Sequence, residues 1–207
     1  MFVSPAGAWK CVALVLAAVF AVSAAAGGDA ERGKTLTAVC TACHGQDGNS
    51  IAGAFPSIAG QSERYMYKQM VDMKTGARDP GAMIGMVDAL PDQDLRDLAA
   101  WYATQSPKGG AASADLVELG ESIYLSGVQR KKIAACSSCH SPSGMGNDPA
   151  LFPSLRGQWP EYTTAQLKAF RSKKRTNDGD SRMMRDVAMD LSDEEIDAVA
   201  SYLYGLR

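Results

Sequence analysis

The sequence carries the string Cys40-Thr41-Ala42-Cys43-His44 and repeats its pattern in the second half as Cys136-Ser137-Ser138-Cys139-His140. The chain has 5 cysteines and 2 histidines, and the two strings contain all of them except Cys11. Two thiols at this spacing can add across the two vinyl groups of one haem, and the histidine that follows is placed to bind the iron. We therefore predict two covalent haem c groups, held by Cys40, Cys43, Cys136 and Cys139, with His44 and His140 as iron ligands.

Paired cysteines have three other common uses, and the sequence fits each of them poorly. A thioredoxin-like redox pair is expected near a βαβ pattern, which the sequence lacks. A zinc site made of four cysteines needs its two pairs roughly 15–20 residues apart, and these pairs are much farther apart. Disulfides within each pair are geometrically awkward and leave the two adjacent histidines unexplained.

Further matches between the two halves indicate a tandem duplication. The string Phe55-Pro56-Ser57 recurs as Phe152-Pro153-Ser154, and the matches continue in the same order with Gln61 and Gln158, Tyr65 and Tyr162, Gln69 and Gln166, and Arg78 and Arg175. A segment rich in Pro, Gly and Ser, residues 107–113, is typical of a linker. We predict one domain over residues 27–106 and a second over residues 114–207.

The apolar residues follow a helical spacing in both halves. Leu95, Leu98 and Tyr102 lie on one helix face, and no stretch alternates as a half-buried strand would. We predict helices over 29–39, 62–74 and 92–104 and over the equivalent 115–125, 161–170 and 192–206, with a capping box at Ser192 and Glu195. The loops fall at 45–60 and 141–158. The predicted fold class is all-α, with two small helical domains, each around one haem.

A second axial ligand is expected on each iron, and methionine is the candidate because no histidine is left over. Most of the 10 methionines are expected to fill gaps in the cores. Met83 and Met184 stand equally far before Pro91 and its equivalent Ser192, and they are the pair that the two copies share. The alternatives are Met86 and Met183.

Two prolines in the repeated string are candidates for orienting the histidines. An iron-bound histidine usually donates its other ring N–H to a carbonyl or a carboxylate. Pro56 and Pro153 follow their histidines at similar distances, and each offers a carbonyl without an N–H of its own. The alternative is that both prolines only shape a loop turn.

The first 26 residues have the composition of a secretory signal peptide. Lys10 precedes an apolar run and a small-residue segment, residues 23–26. A retained membrane anchor is the alternative, but the run is shorter than the roughly 20 residues of a spanning helix. We expect cleavage and export of a soluble mature chain.

The charges exclude one class of partner and leave a second open. The chain has 21 basic and 23 acidic residues, which gives no basic field suited to nucleic acid. Basic residues nevertheless cluster around Met184 in the second half. They form either a solvated face or a basic rim that steers an acidic partner.

Beyond these motifs, the chain resembles the cytochrome c4 family along the whole region after the signal peptide. The resemblance is carried by residues 40–50, 55–61 and 65–70 and, in the second half, by 146–148, 152–158 and 175–180. It implies two class I cytochrome c domains, axial ligands at Met83 and Met184, acceptor carbonyls at Pro56 and Pro153, and haems close together across the domain interface. Arg182 departs from the neutral or apolar residue expected two positions before the second methionine.

The resemblance also implies a function and a location. The family carries single electrons in the periplasm from a membrane quinol-oxidising complex to a terminal oxidase, by transient docking at haem edges, and we expect a monomer. An iron with both axial positions occupied has no open site for a substrate, so we predict an electron-transfer protein rather than an enzyme. The alternatives are a haem subunit of a flavin-dependent sulfide dehydrogenase or a similar complex, and a peroxidase-like enzyme with one open iron site.

Overall fold

The computed structural model describes residue 1 and residues 27–206, and these residues form a helical protein. The predicted signal peptide lies, apart from its first residue, outside the described residues. The helices, in chain order, are α1 (Ala30–Thr35), α2 (Thr41–His44), α3 (Glu63–Thr75), α4 (Asp92–Ala103), α5 (Val117–Ser126), α6 (Ser137–His140), α7 (Pro160–Arg171), α8 (Met183–Ala188) and α9 (Asp193–Gly205).

The all-α prediction is confirmed. Within the described residues, strand-like pairing is limited to two isolated bridges, between Val128 and Ile133 and between Asn147 and Phe152. The six predicted helices correspond to α1, α3, α4, α5, α7 and α9, with ends displaced by a few residues. The first of them ends early, and a 3₁₀ turn over Thr37–Val39 completes the approach to the first cysteine.

Helix ends explain several of the boundaries. The capping box at the start of α9 is present: the Ser192 hydroxyl accepts from the backbone N–H of Glu195, and the Glu195 carboxylate accepts from the backbone N–H of Ser192. Ser62 caps α3 in a similar way by accepting from Tyr65 N. These contacts satisfy N–H groups that the first turn of a helix leaves without partners.

Each half of the chain has its own hydrophobic core. In the first half α4 packs against α1 and α3, and in the second half α9 packs against α5 and α7. The buried residues at the centre of the first core include Leu95, Leu98 and Tyr102. Those of the second include Tyr124, Ile196 and Val199.

The predicted linker contacts both halves. Lys108 N donates to Asn49 Oδ1 at 2.7 Å in the first half, and Ser113 N donates to Ser201 Oγ at 2.8 Å in the second. Gly110 N also donates to Tyr204 O at 3.0 Å. These hydrogen bonds fix the path of the linker along the protein surface. Among the described residues, no helix is both long and apolar enough to cross a bilayer.

The crossing of α1 and α4 depends on a glycine. A Cβ atom built on Gly33 would lie 1.9 Å from the backbone oxygen of Asp97, so the two helices approach more closely than any side chain allows. Gly120 occupies the equivalent place, where a Cβ would lie 2.3 Å from Ala198 O.

We expect Gly33→Ala to lower the free energy of unfolding of the first domain by about 1–3 kcal/mol, because the backbone of α4 must move to accept the methyl group. Denaturant unfolding of the purified holoprotein measures the change. Gly27→Ala is the matched control, since a Cβ there would meet only Glu63 Oε1, at 3.8 Å. Equal stabilities for the two variants would contradict this account of the helix crossing.

Candidate haem site

The two histidines occupy equivalent and buried positions. His44 ends α2 and His140 ends α6, and each side chain is 6% exposed. His44 Nδ1 lies 2.8 Å from the backbone oxygen of Pro56, and His140 Nδ1 lies 2.9 Å from that of Pro153. The structure therefore brings each histidine to the proline carbonyl that the sequence suggested as its acceptor. Because Nδ1 is engaged in this way, Nε2 is the nitrogen that remains for a metal.

Burial also sets the protonation state of the two imidazoles. Removal from water lowers the pKa of His44 and His140, and the hydrogen bond to the proline carbonyl opposes this effect only in part. Both side chains are therefore neutral at pH 7, which is the form that binds a metal.

One cavity reaches both pairs of cysteines. Its volume is about 960 Å³, and its lining includes Cys40, Cys43, Cys136 and Cys139 as well as both histidines. All four cysteines are free thiols. Burial raises the pKa of the Cys136 thiol to about 11. Two equivalent sites thus open into one continuous space that passes through the domain interface.

The methionines differ in exposure. Met83, in a 3₁₀ turn over Gly81–Met83, and Met184, in α8, line the cavity and are half-buried. Met86 and Met183 also reach the cavity, but they are 40% and 46% exposed. The helix that carries Met184, α8, was not predicted from the sequence.

Each domain has a buried tyrosine near its cysteine pair, and the two tyrosines lie on helices that are not equivalent in the repeat. Tyr102, in α4, has a hydroxyl that is buried without a hydrogen-bond partner among the described residues. Tyr124, in α5, donates to Ser141 O at 2.5 Å. Burial and a nearby cysteine, Cys40 or Cys136, raise the pKa of each phenol. The sequence repeat could not show this pair, since the two tyrosines do not occupy equivalent positions.

A cluster of polar side chains crosses the domain interface at the cavity wall. Arg78 donates to the Tyr162 hydroxyl at 3.0 Å, and Arg175 donates to the Tyr65 hydroxyl at 3.0 Å, so each arginine contacts the tyrosine of the other domain. Each also donates to the glutamine of its own domain: Arg78 to Gln69 at 2.9 Å and Arg175 to Gln166 at 2.7 Å. The sequence showed that these residues occupy repeated positions, but it did not show that each arginine contacts the tyrosine of the other domain.

These features fit the predicted cofactor. Two thiols and an imidazole with a free Nε2 face one space in each domain, which is the donor set that covalent haem requires. In addition, no ion pair among the described residues involves Arg78 or Arg175. Two guanidinium groups at a cavity wall without carboxylate partners suit an anionic cofactor edge such as the haem carboxylates.

Other cysteine chemistries do not fit the geometry. Within the described part of the chain, no three Cys, His, Asp or Glu side chains are close enough together to hold a metal ion. The four cysteines are free thiols in the structure, so it gives no support to the zinc site or to the two disulfides.

The basic residues around Met184 are mostly paired with carboxylates. The ion pairs in this region are Lys168 and Arg171 with Asp193, Arg182 with Asp186, Arg185 with Asp178, and Arg130 and Lys131 with Glu195. Although burial opposes it, hydrogen bonds from Lys131 and Ser192 N lower the pKa of Glu195 to about 2. This pairing favours the solvated face over the steering rim. Arg182, the departure from the expected pattern, has a left-handed backbone (φ 51°) at the start of α8.

Comparison with known proteins identifies the same two units. The family model described as cytochrome c matches residues 30–106 and 118–207. Cytochrome c4 of Azotobacter vinelandii is 50% identical over 192 residues, which cover 88% of this chain and 91% of that protein. The crystal structure of reduced recombinant cytochrome c4 from Pseudomonas stutzeri superposes with a TM-score of 0.85 at 47% identity, covering 87% of this chain and 100% of that one.

More distant relatives have other names. A thiosulfate dehydrogenase electron acceptor of Stutzerimonas stutzeri is 37% identical over 167 residues, which cover 79% of this chain and 76% of that protein. The cytochrome subunit of sulfide dehydrogenase from Chlorobaculum tepidum is 32% identical over 77 residues, which cover only 37% of this chain.

Proposed function

The chain belongs to the cytochrome c4 family, and on this premise we propose that it carries single electrons in the periplasm from a membrane quinol-oxidising complex to a terminal oxidase. Its class follows from the family: it is an electron-transfer protein with two covalently bound haem c groups, not an enzyme. The observation that carries the proposal is the equivalence of the two sites, each with two thiols, a buried histidine and a half-buried methionine.

The residues that hold each haem are assigned by the same equivalence. In the first domain Cys40 and Cys43 would form the thioether bonds, and His44 Nε2 and the Met83 sulfur would bind the iron. In the second domain the corresponding residues are Cys136, Cys139, His140 and Met184. The lower exposure of Met83 and Met184 supports them over the alternative methionines.

When bound, each haem supplies one-electron chemistry at its iron. The protein's part is to hold the ligands and keep water away. The Pro56 and Pro153 carbonyls orient the two imidazoles and fix the proton on Nδ1. The apolar cores around Leu98 and Val199 exclude water from the cavity walls, which limits the solvent reorganisation that accompanies each electron.

Location, boundaries and partners complete the proposal. The signal peptide predicted over residues 1–26 supports export to the periplasm. The matched ranges support domains over residues 27–106 and 114–207, joined by residues 107–113. Because the chain would supply both axial ligands of each iron, no partner would bind the iron itself, and electrons would pass to and from a membrane quinol-oxidising complex and a terminal oxidase by transient docking at the haem edges. We propose that the protein acts as a monomer.

A second candidate route begins at thiosulfate. The relative from Stutzerimonas stutzeri is named as the electron acceptor of thiosulfate dehydrogenase, and it matches most of this chain. In that route the same two haems accept electrons from a thiosulfate dehydrogenase instead of the quinol-oxidising complex. The sulfide dehydrogenase subunit has less support, because the match covers no more than about one domain.

Replacement of the assigned methionines tests the ligand set. We expect Met83→Leu and Met184→Leu each to remove half of the long-wavelength methionine-to-iron charge-transfer absorption and to raise the affinity of one haem for carbon monoxide. Met86→Leu and Met183→Leu are the matched controls and should leave both readouts unchanged. Loss of the absorption in either control would show that the alternative methionine is the iron ligand of that domain.

The route is tested by reconstitution. Membranes washed free of soluble cytochromes are mixed with the oxidised holoprotein, and haem reduction is followed after addition of quinol and again after addition of oxygen. We expect quinol-dependent reduction that an inhibitor of the quinol-oxidising complex blocks, followed by oxidation by the terminal oxidase. Reduction by thiosulfate and its dehydrogenase, with no reduction by the membranes, would reject the quinol route in favour of the second candidate.

A further inference from the structure

The carbonyl that accepts from His44 belongs to a peptide group that also contacts the second domain. His44 Nδ1 lies 2.8 Å from Pro56 O, and the N–H of the same peptide group, Ser57 N, donates to Gln158 Oε1 at 2.9 Å. A continuous chain of hydrogen bonds thus runs from the imidazole, through one peptide group, to a side chain of the other domain.

The second domain contains the equivalent series of hydrogen bonds. His140 Nδ1 lies 2.9 Å from Pro153 O, and Ser154 N donates to Gln61 Oε1 at 2.9 Å. Gln61 and Gln158 are equivalent residues of the repeat, so each domain completes the hydrogen-bond chain of the other.

Both glutamine side chains are held in one orientation. Gln158 Nε2 donates to Ser57 O at 2.8 Å, and Gln61 Nε2 donates to Ser154 O at 3.0 Å. Each amide oxygen also accepts from the next residue of its own chain segment: Trp159 N donates to Gln158 Oε1 at 3.1 Å, and Ser62 N donates to Gln61 Oε1 at 2.9 Å. Because these partners fix the positions of both Oε1 and Nε2, neither side-chain amide can flip without losing the contacts.

Such a chain changes the strength of its first bond. Hydrogen bonds in series polarise one another, so an acceptor on the peptide N–H increases the negative charge on the carbonyl oxygen of the same group. A stronger acceptor on Nδ1–H makes the imidazole more electron-rich at Nε2, and a more basic ligand stabilises the oxidised iron.

We propose that Gln61 and Gln158 are positioning residues that tune the reduction potentials of the two haems in a crossed manner: Gln158 of the second domain lowers the potential of the first haem, and Gln61 of the first domain lowers that of the second. This inference rests on the proposed ligation by His44 and His140. It makes the domain interface part of both iron environments, so neither haem has its native potential in an isolated domain.

Gln158→Leu tests the proposal by removing the acceptor while keeping a side chain of similar size. We expect the reduction equilibrium constant of the first haem to rise about threefold, or about 28 mV for one electron, while that of the second haem is unchanged. Gln61→Leu should have the opposite pattern, and it keeps the test available if the first variant fails to take up haem.

The histidines provide a readout that does not depend on electron transfer. The chain has 2 histidines, so isotope-labelled histidine gives two Nδ1–H signals in the magnetic resonance spectrum of the reduced holoprotein. In Gln158→Leu the His44 signal should move towards the position of a weaker hydrogen bond and exchange faster with solvent, whereas the His140 signal stays in place.

Trp159→Phe is the matched control for loss of an interface contact. Trp159 Nε1 donates to Ser50 O at 2.9 Å across the interface, but this bond belongs to neither of the two hydrogen-bond series that start at the histidines. The control should leave both potentials unchanged. Equal shifts in both haems, a shift confined to the variant's own domain, no shift, or the same shift in the control would overturn the proposal. If the unaltered protein showed no iron-bound histidine signals, the ligand assignment itself would fail before any variant was compared.

Discussion

Each half of this chain folds around a space that its own side chains do not fill. The cavity of about 960 Å³ has the size of a ligand site, not of a packing defect, and it lies against both hydrophobic cores. An empty space of this size would cost a domain of this length much of its stability. Covalent haem removes the problem, because a large apolar body then occupies the cavity and the paired thiols keep it there.

The duplication does more than provide two copies of one site, because it also creates contacts between the copies. Residues at repeated positions contact each other across the interface: Arg78 of the first half donates to Tyr162 of the second, and Arg175 of the second half donates to Tyr65 of the first. The linker supports this arrangement through its hydrogen bond to Asn49. The two halves are therefore joined where their cavities meet, and contacts of one half shape the surroundings of the cofactor in the other.

Much of this organisation could be predicted from the sequence, and the limits have physical causes. The CxxCH strings, the duplication and the six predicted helices depend on local spacing, which a single sequence displays. The helix that carries Met184 was not among the predicted ones. Tyr102 and Tyr124 serve similar sites from different helices, so alignment of the two halves conceals them. The clustering of basic residues in the sequence left a solvated face and a charged rim both open, because pairs such as Arg185 with Asp178 become visible only in the folded chain.

The central claim is that each half holds one covalent haem whose iron has both axial positions filled by the chain. The most direct measurement is the intact mass of the mature holoprotein, combined with its visible spectrum before and after exposure of the reduced form to carbon monoxide. The account predicts the mass of the processed chain plus two haems and a spectrum that carbon monoxide leaves unchanged at neutral pH. A mass with fewer than two haems, or ready binding of carbon monoxide, would contradict it.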